Sequence, residues 1–274
     1  MRIVLLASLI AALAQPAMAQ QARDWEILRD PAQQMTMAYT PFDIGLGIAV
    51  RCVNHSYEAL ITGLPPTDYE TRPLDVAFGE SDLREETWNV AVESRVAVSN
   101  HPAPFARRLR DGGTLSLRVP GAAEDGRNLL YVLELPASSA AIDETLTACG
   151  RPLVDPRDAE IADIRRNGLP AGLEWVRRPQ VQYPDTAFAR GFAVLTCLTN
   201  PDGTLRSCVI EAEYPQGGHF GEAALSGARR ARLGVSGDSG SPVPPRLVSF
   251  RVNFALDAYT ARRARRAPRT AVND

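Results

Sequence analysis

The chain of 274 residues has no lysine; arginine supplies all of its basic side chains, and 30 of these stand against 32 acidic ones. A formal net charge of −2 excludes the bulk attraction of a basic protein to nucleic acid. Histidine is scarce, with three residues. His55 and His101 sit in turn-like contexts without cysteine or carboxylate partners at ligand spacing, so each is expected to be an exposed loop histidine, with no metal and no cofactor. Asp82, Glu85 and Glu86 lie close in sequence, but no apolar surround separates their acidities, and they are expected to be a solvated loop. The only long apolar run is Ile3 to Leu13, too short to span a bilayer.

That run is bounded by Arg2 and by the small-x-small triplet Ala17-Met18-Ala19, which predicts a signal peptide over residues 1–19, cleaved after Ala19. The mature chain is therefore expected in the periplasm. Four cysteines, Cys52, Cys149, Cys197 and Cys208, all follow the cleavage site, and an even number in an oxidising compartment predicts disulfide bonds. Of the three pairings, Cys52–Cys149 and Cys197–Cys208 are selected because a break in composition falls between the pairs.

Residues 20–152 are expected to form a β-rich periplasmic domain. Strand candidates are Gly45 to Val53, Tyr57 to Thr62, Leu74 to Phe78, Trp88 to Val98, Thr114 to Val119 and Leu129 to Leu135. Helices are expected over Ala103 to Arg110 and Ala140 to Ala148, the second stopped by Gly150. Strands at such short spacing predict an antiparallel sandwich with covering helices. Ile48-Ala49-Val50-Arg51-Cys52, Pro104-Phe105-Ala106 and Ala148-Cys149-Gly150 resemble β domains of type VI secretion-associated and invasion-associated periplasmic proteins. Residues 153–174 read as a linker with a short helix, Ala159 to Arg166, begun by Asp155-Pro156 and ended by Asn167-Gly168.

Residues 175–259 read as helix, hairpin, helix, strand. The first helix is expected at Asp185 to Arg190. Asp202-Gly203 marks a two-residue hairpin turn, which would place Cys197 opposite Cys208, Leu195 opposite Ile210 and Ala193 opposite Ala212. After Gly217-Gly218, the spacing of Phe220, Ala224, Ala228 and Ala231 gives a narrow helical stripe of mostly small residues. Val248, Phe250, Val252 and Phe254 alternate with Ser249, Arg251 and Asn253, predicting a strand with one core face and one wet face. The fold class expected for the whole chain is α+β.

Within this segment, Trp175, Arg178-Pro179, Tyr183-Pro184, Pro201-Asp202-Gly203, Phe220-Gly221-Glu222-Ala223-Ala224-Leu225, Pro242-Val243 and Val252-Asn253-Phe254 resemble a TonB C-terminal domain. The resemblance implies binding of a partner segment, such as the TonB box of outer-membrane receptors, by strand addition. Carried over, the binding edge would be Leu247, Val248, Ser249, Phe250, Arg251, Val252 and Asn253.

A periplasmic cell-envelope binding or adaptor protein, not an enzyme, is the expected function. The alternative is an energy transducer for transmembrane transport that keeps its N-terminal segment as an anchor. Gly237-Asp238-Ser239-Gly240-Ser241-Pro242 resembles the nucleophile segment of chymotrypsin-like proteases, which makes a hydrolase using Ser239 the remote alternative. A second copy of the chain is a further candidate partner. Residues 260–274 hold Arg262, Arg263, Arg265, Arg266 and Arg269 and are expected to be a disordered tail with weak attraction to a membrane surface.

Overall fold

The computed structural model describes residues 24–91, 95–162, 164, 168–238, 240–257 and 260. The expected signal peptide, Ser239, Asn167 and the arginine-rich tail lie outside the described residues.

The first module opens with strands β1 (Glu26–Asp30), β2 (Met35–Pro41), β3 (Gly47–Val53), β4 (Ser56–Thr62), β5 (Thr71–Phe78), β6 (Arg84–Val90) and β7 (Ala97–Val98). Helix α1 (Pro102–Leu109), strands β8 (Gly113–Val119) and β9 (Leu129–Leu135) and helix α2 (Ala140–Ala148) complete it. The expected sandwich is instead one antiparallel sheet of nine strands, ordered β1-β2-β3-β4-β7-β6-β5-β8-β9. Its centre is built by the β3–β4 hairpin, whose two loop residues Asn54 and His55 both have positive φ, the geometry that matches strand twist. Strands β1 and β2 were not evident in the sequence pattern. The stretch expected to run from Trp88 to Val98 is two strands that fold back on each other, with Asn89 opposite Val98 and Val90 opposite Ala97.

Both helices pack on the sheet, α1 against β4 and α2 against β2 and β3. The core includes Ile48, Val50, Tyr57, Ile61, Trp88, Leu115 and Leu117, with the Trp88 and Phe105 rings edge to face at 5.0 Å. Cys52 in β3 is bonded to Cys149 at the end of α2, with Cα atoms 5.4 Å apart. The Tyr57 and Thr145 hydroxyls meet at 2.8 Å beside this link.

Helix α3 (Arg157–Ala162) opens the connector, two residues earlier than the sequence suggested, because the Asp155 carboxylate accepts from the Arg157 amide. The second module follows: β10 (Leu173–Arg177), β11 (Arg190–Thr199), β12 (Leu205–Tyr214), α4 (Phe220–Ala228), β13 (Arg232–Val235) and β14 (Leu247–Ala255). It contains an antiparallel sheet ordered β12-β11-β14 and a separate pair, β10 with β13. No helix forms at Asp185 to Arg190. There the Tyr183 hydroxyl donates to the Phe188 carbonyl and the Phe188 amide donates to Thr186 Oγ1, local bonds that compete with a helical turn.

Cys197 and Cys208 are bonded across the β11–β12 hairpin, with Cα atoms 4.1 Å apart. The turn itself is longer than expected. Asn200 donates to the Thr204 carbonyl, and Gly203 at φ +80° closes a three-residue loop. Ser207, at φ +49°, then adds a bulge that restores the expected pairing of Leu195 with Ile210. A second irregularity at Glu211 shifts the ladder again, so Ala193 faces Glu213 and Val194 faces Ala212. The apolar stripe of α4 is buried as expected: Phe220, Ala224, Ala228 and the following Ala231 are all inside. The His219 side chain makes no capping bond at α4; the Glu213 carboxylate accepts from the Gly221 amide instead.

Candidate functional site

The strand β14 decides where a site can form. Val248, Phe250, Val252 and Phe254 enter the second core with Phe220 and Leu195. The opposite face was expected to be wet, yet Ser249 is only 4% exposed. That face turns towards the first module. An apolar seam of Phe192, Val194 and Ala212 packs on Val98 and Leu60, so the small sheet is covered on both sides.

Beside this seam lies a cavity of about 760 Å³. The first module contributes Glu86, His101 and Arg108 to its wall, the connector Asp158 and Gly168, and the second module Trp175, Ser249 and Arg251. His101 is therefore not an exposed loop residue: its Nε2 lies 2.6 Å from Ser249 Oγ, and enclosure of the ring pushes its pKa down to about 4. His55, in its hairpin loop, is exposed as expected. Glu86 departs from the solvated loop as well. It stands on β6, accepts a hydrogen bond from Trp88 Nε1, and burial raises its pKa above the usual carboxylate range.

Arg251 lays its guanidinium over the Phe192 ring, 4.4 Å from the centroid. Burial lowers its pKa to about 10, opposed by the charge of Glu70. Its Nε has no hydrogen-bond partner among the described residues.

The edge of β14 runs along this wall. Ser249 donates its amide to the Gly168 carbonyl at 3.1 Å. Because amides alternate along a strand, Arg251 and Asn253 direct theirs to the same side as Ser249, away from β11. Gly168, at φ +81°, makes this approach possible. A Cβ there would stand 2.5 Å from the Ser249 carbonyl oxygen. Of the residues expected at the binding edge, Leu247 to Phe250 are buried, Arg251 and Val252 line the cavity, and Asn253 is exposed.

The connector is locked by charge. Arg107 of α1 donates through Nε and Nη2 to both oxygens of Asp158, each at 2.6 Å, and through Nη1 to the Pro152 carbonyl. Arg157 binds Asp155 and reaches Glu211 of β12 at 3.4 Å. Arg151 donates to the Ile210 carbonyl at 2.7 Å. Sequence spacing could not reveal this network, because its bonded partners are up to 59 residues apart.

A serine hydroxyl beside a neutral histidine is the start of nucleophilic chemistry, but here the other groups are committed elsewhere. The Asp158 carboxylate is held by Arg107, and the Ser249 hydroxyl also accepts from Thr196 Oγ1 at 3.2 Å. The pair joins the two modules. Among the described residues no group of three His, Cys, Asp or Glu side chains could hold a metal ion, and no helix is long and apolar enough to cross a membrane. Two disulfides suit an oxidising compartment. No family model and no curated protein matches the chain.

Proposed function

We propose that this is a periplasmic binding or adaptor protein of the cell envelope, without catalytic activity, which takes an extended segment of a partner protein onto the edge of β14. The carrying observation is the contrast along that edge. The Ser249 amide already receives a carbonyl from another segment, Gly168, whereas the Arg251 and Asn253 amides face the same way beyond it. Backbone pairing at such an edge supplies affinity with little demand on side chains. The adjoining cavity leaves room for side chains of the incoming segment, and Arg251 favours an acidic one. The resemblance to a TonB C-terminal domain supports the same reading and makes outer-membrane receptors the first partners to try.

The test uses the full mature chain as bait in an outer-membrane extract, beside Asn253→Pro. Proline removes only the outward amide, because Val252 and Phe254 make the bonds to β11. Receptors retained by the native chain and lost by a folded Asn253→Pro support the proposal. Equal retention, or none in either sample, rejects it.

A further inference from the structure

Of the charged side chains that line the cavity between the modules, Arg84, Glu85 and Arg178 stand in solvent. Asp158 is gripped by Nε and Nη2 of Arg107. Glu86 accepts from Trp88 Nε1 and lies 3.6 Å from Arg108, whose guanidinium also rests on the Phe78 ring. Arg251 is left. The acid whose charge bears on it, Glu70, is bonded to Arg190, and its buried Nε has no hydrogen-bond partner among the described residues. A buried donor without an acceptor is uncommon and costly. Among the described residues, no other with a buried, unpartnered side-chain atom lines this cavity. Much of the wall is apolar. Phe105, Ile161 and Phe250 are buried there, and the Trp175 ring meets Phe250 edge to face at 5.0 Å.

We infer that this cavity is a binding site for a small organic acid, whose carboxylate pairs with Arg251 and whose apolar body lies against Phe105, Ile161, Trp175 and Phe250. A guanidinium presents its N–H groups in a planar fork that matches a carboxylate. Burial already disfavours the charged form of Arg251, lowering its pKa to about 10, and an arriving carboxylate offsets that cost. A neutral or cationic ligand would leave Nε without a charged acceptor. A phosphate would bring a second negative charge to a wall that also holds Glu86 and Asp158. The volume of about 760 Å³ lies within the range of small-molecule sites, roughly 300–1,000 Å³. An acidic side chain from a bound segment would leave most of it empty. The inference goes beyond strand addition and does not rest on it, because the acid needs the cavity and not the outward amides of β14.

The test is calorimetric titration of the full mature chain at neutral pH, with no partner protein present. The probes are naphthoate, cinnamate and octanoate, each beside its uncharged amide, and a capped glycyl-aspartyl-glycine tripeptide, which has the carboxylate without the apolar body. The native chain should bind at least one of the acids roughly tenfold or more tightly than its amide and than the tripeptide, a preference of about 1.4 kcal/mol. Arg251→Met keeps an unbranched chain over the Phe192 ring and removes the charge. It should lower the affinity for that acid to the level of the amide and leave amide binding unchanged, with circular dichroism verifying the fold. Binding of none of the acids, equal binding of acid and amide, a tripeptide that binds as tightly as the best acid, or a folded Arg251→Met that still prefers the acid would overturn the inference. The first three comparisons need only the native chain, so they decide even where the variant does not fold.

Discussion

His101 Nε2 and Ser249 Oγ are 2.6 Å apart, although 148 residues separate them and each belongs to a different module. The bond fixes the position of β14 relative to α1 and so sets the width of the cavity. Its neighbours are the Thr196 hydroxyl on one side and the Arg107–Asp158 pair on the other.

Because enclosure holds the folded-state pKa of His101 near 4, against about 6.5 in an unfolded chain, the unfolded state binds the extra proton first as pH falls. The contribution of this residue is complete above pH 6.5 and is lost progressively between 6.5 and 4. It amounts to on the order of 3 kcal/mol. Urea unfolding at stepped pH should show this decline for the native chain. His101→Gln, which keeps a hydrogen-bonding group but does not titrate, should lack that part of it. An identical slope in both would contradict the assignment.

Removing Arg107 leaves the half-buried Asp158 carboxylate without its main cation, beside the buried Asp155. Arg107→Ala should cost about 3–5 kcal/mol. The pKa of the Asp155 carboxyl is held below its ordinary value first by its bond to Arg157, so its contribution is present above its unfolded pKa and lost as pH falls through the folded value. Limited proteolysis should cut the connector of Arg107→Ala before either module, since the salt bridges anchor α3. Unchanged stability would show that the network is solvated.

Gly203 closes the β11–β12 loop at φ +80°, and a Cβ there would meet the Leu233 carbonyl oxygen at 2.0 Å. That contact is with backbone, which cannot turn aside. Gly203→Ala is therefore expected to destabilise the chain by about 1–3 kcal/mol, from backbone strain and displacement of β13 together. A thermal unfolding midpoint equal to that of the native chain would rule this out.

The Cys52–Cys149 bond closes a loop 97 residues apart and ties α2 to β3. Replacing both cysteines by serine should lower stability by about 2–5 kcal/mol, while leaving the distant Cys197–Cys208 link formed. Thiol counting after unfolding distinguishes this from loss of both links.

What could be read in advance was what local chemistry dictates. Asn54-His55 sat between two apolar runs and made a hairpin. Phe220, Ala224 and Ala228 repeated at helical spacing and were buried together. Both disulfide pairs formed as selected. What could not be read depends on contacts between distant segments. Strand β2 has no clean alternation in Met35-Thr36-Met37-Ala38-Tyr39, and its pairing with β3 alone reveals it. Strand β13 is four residues long and is defined by its partner β10. The wet face assigned to β14 is covered because Val98 and Leu60, far away in sequence, meet Phe192 and Val194. His101 was assigned to solvent for the same reason, since nothing near it in sequence announces that Ser249 will enclose it. The ladder shift at Glu211 came from an added residue, which periodicity reads through without a break.

The central claim concerns the outward amides of β14, and amide hydrogen exchange tests it most directly. The full mature chain, labelled for NMR, is mixed with synthetic TonB-box peptides in an extended, acidic-residue-containing series. The account predicts that the Arg251 and Asn253 amides gain protection together on binding, while Ser249, already bonded to Gly168, and the inward amides of Val252 and Phe254 change little. Protection gained elsewhere, or none at Arg251 and Asn253 at saturating peptide, would contradict strand addition at this edge.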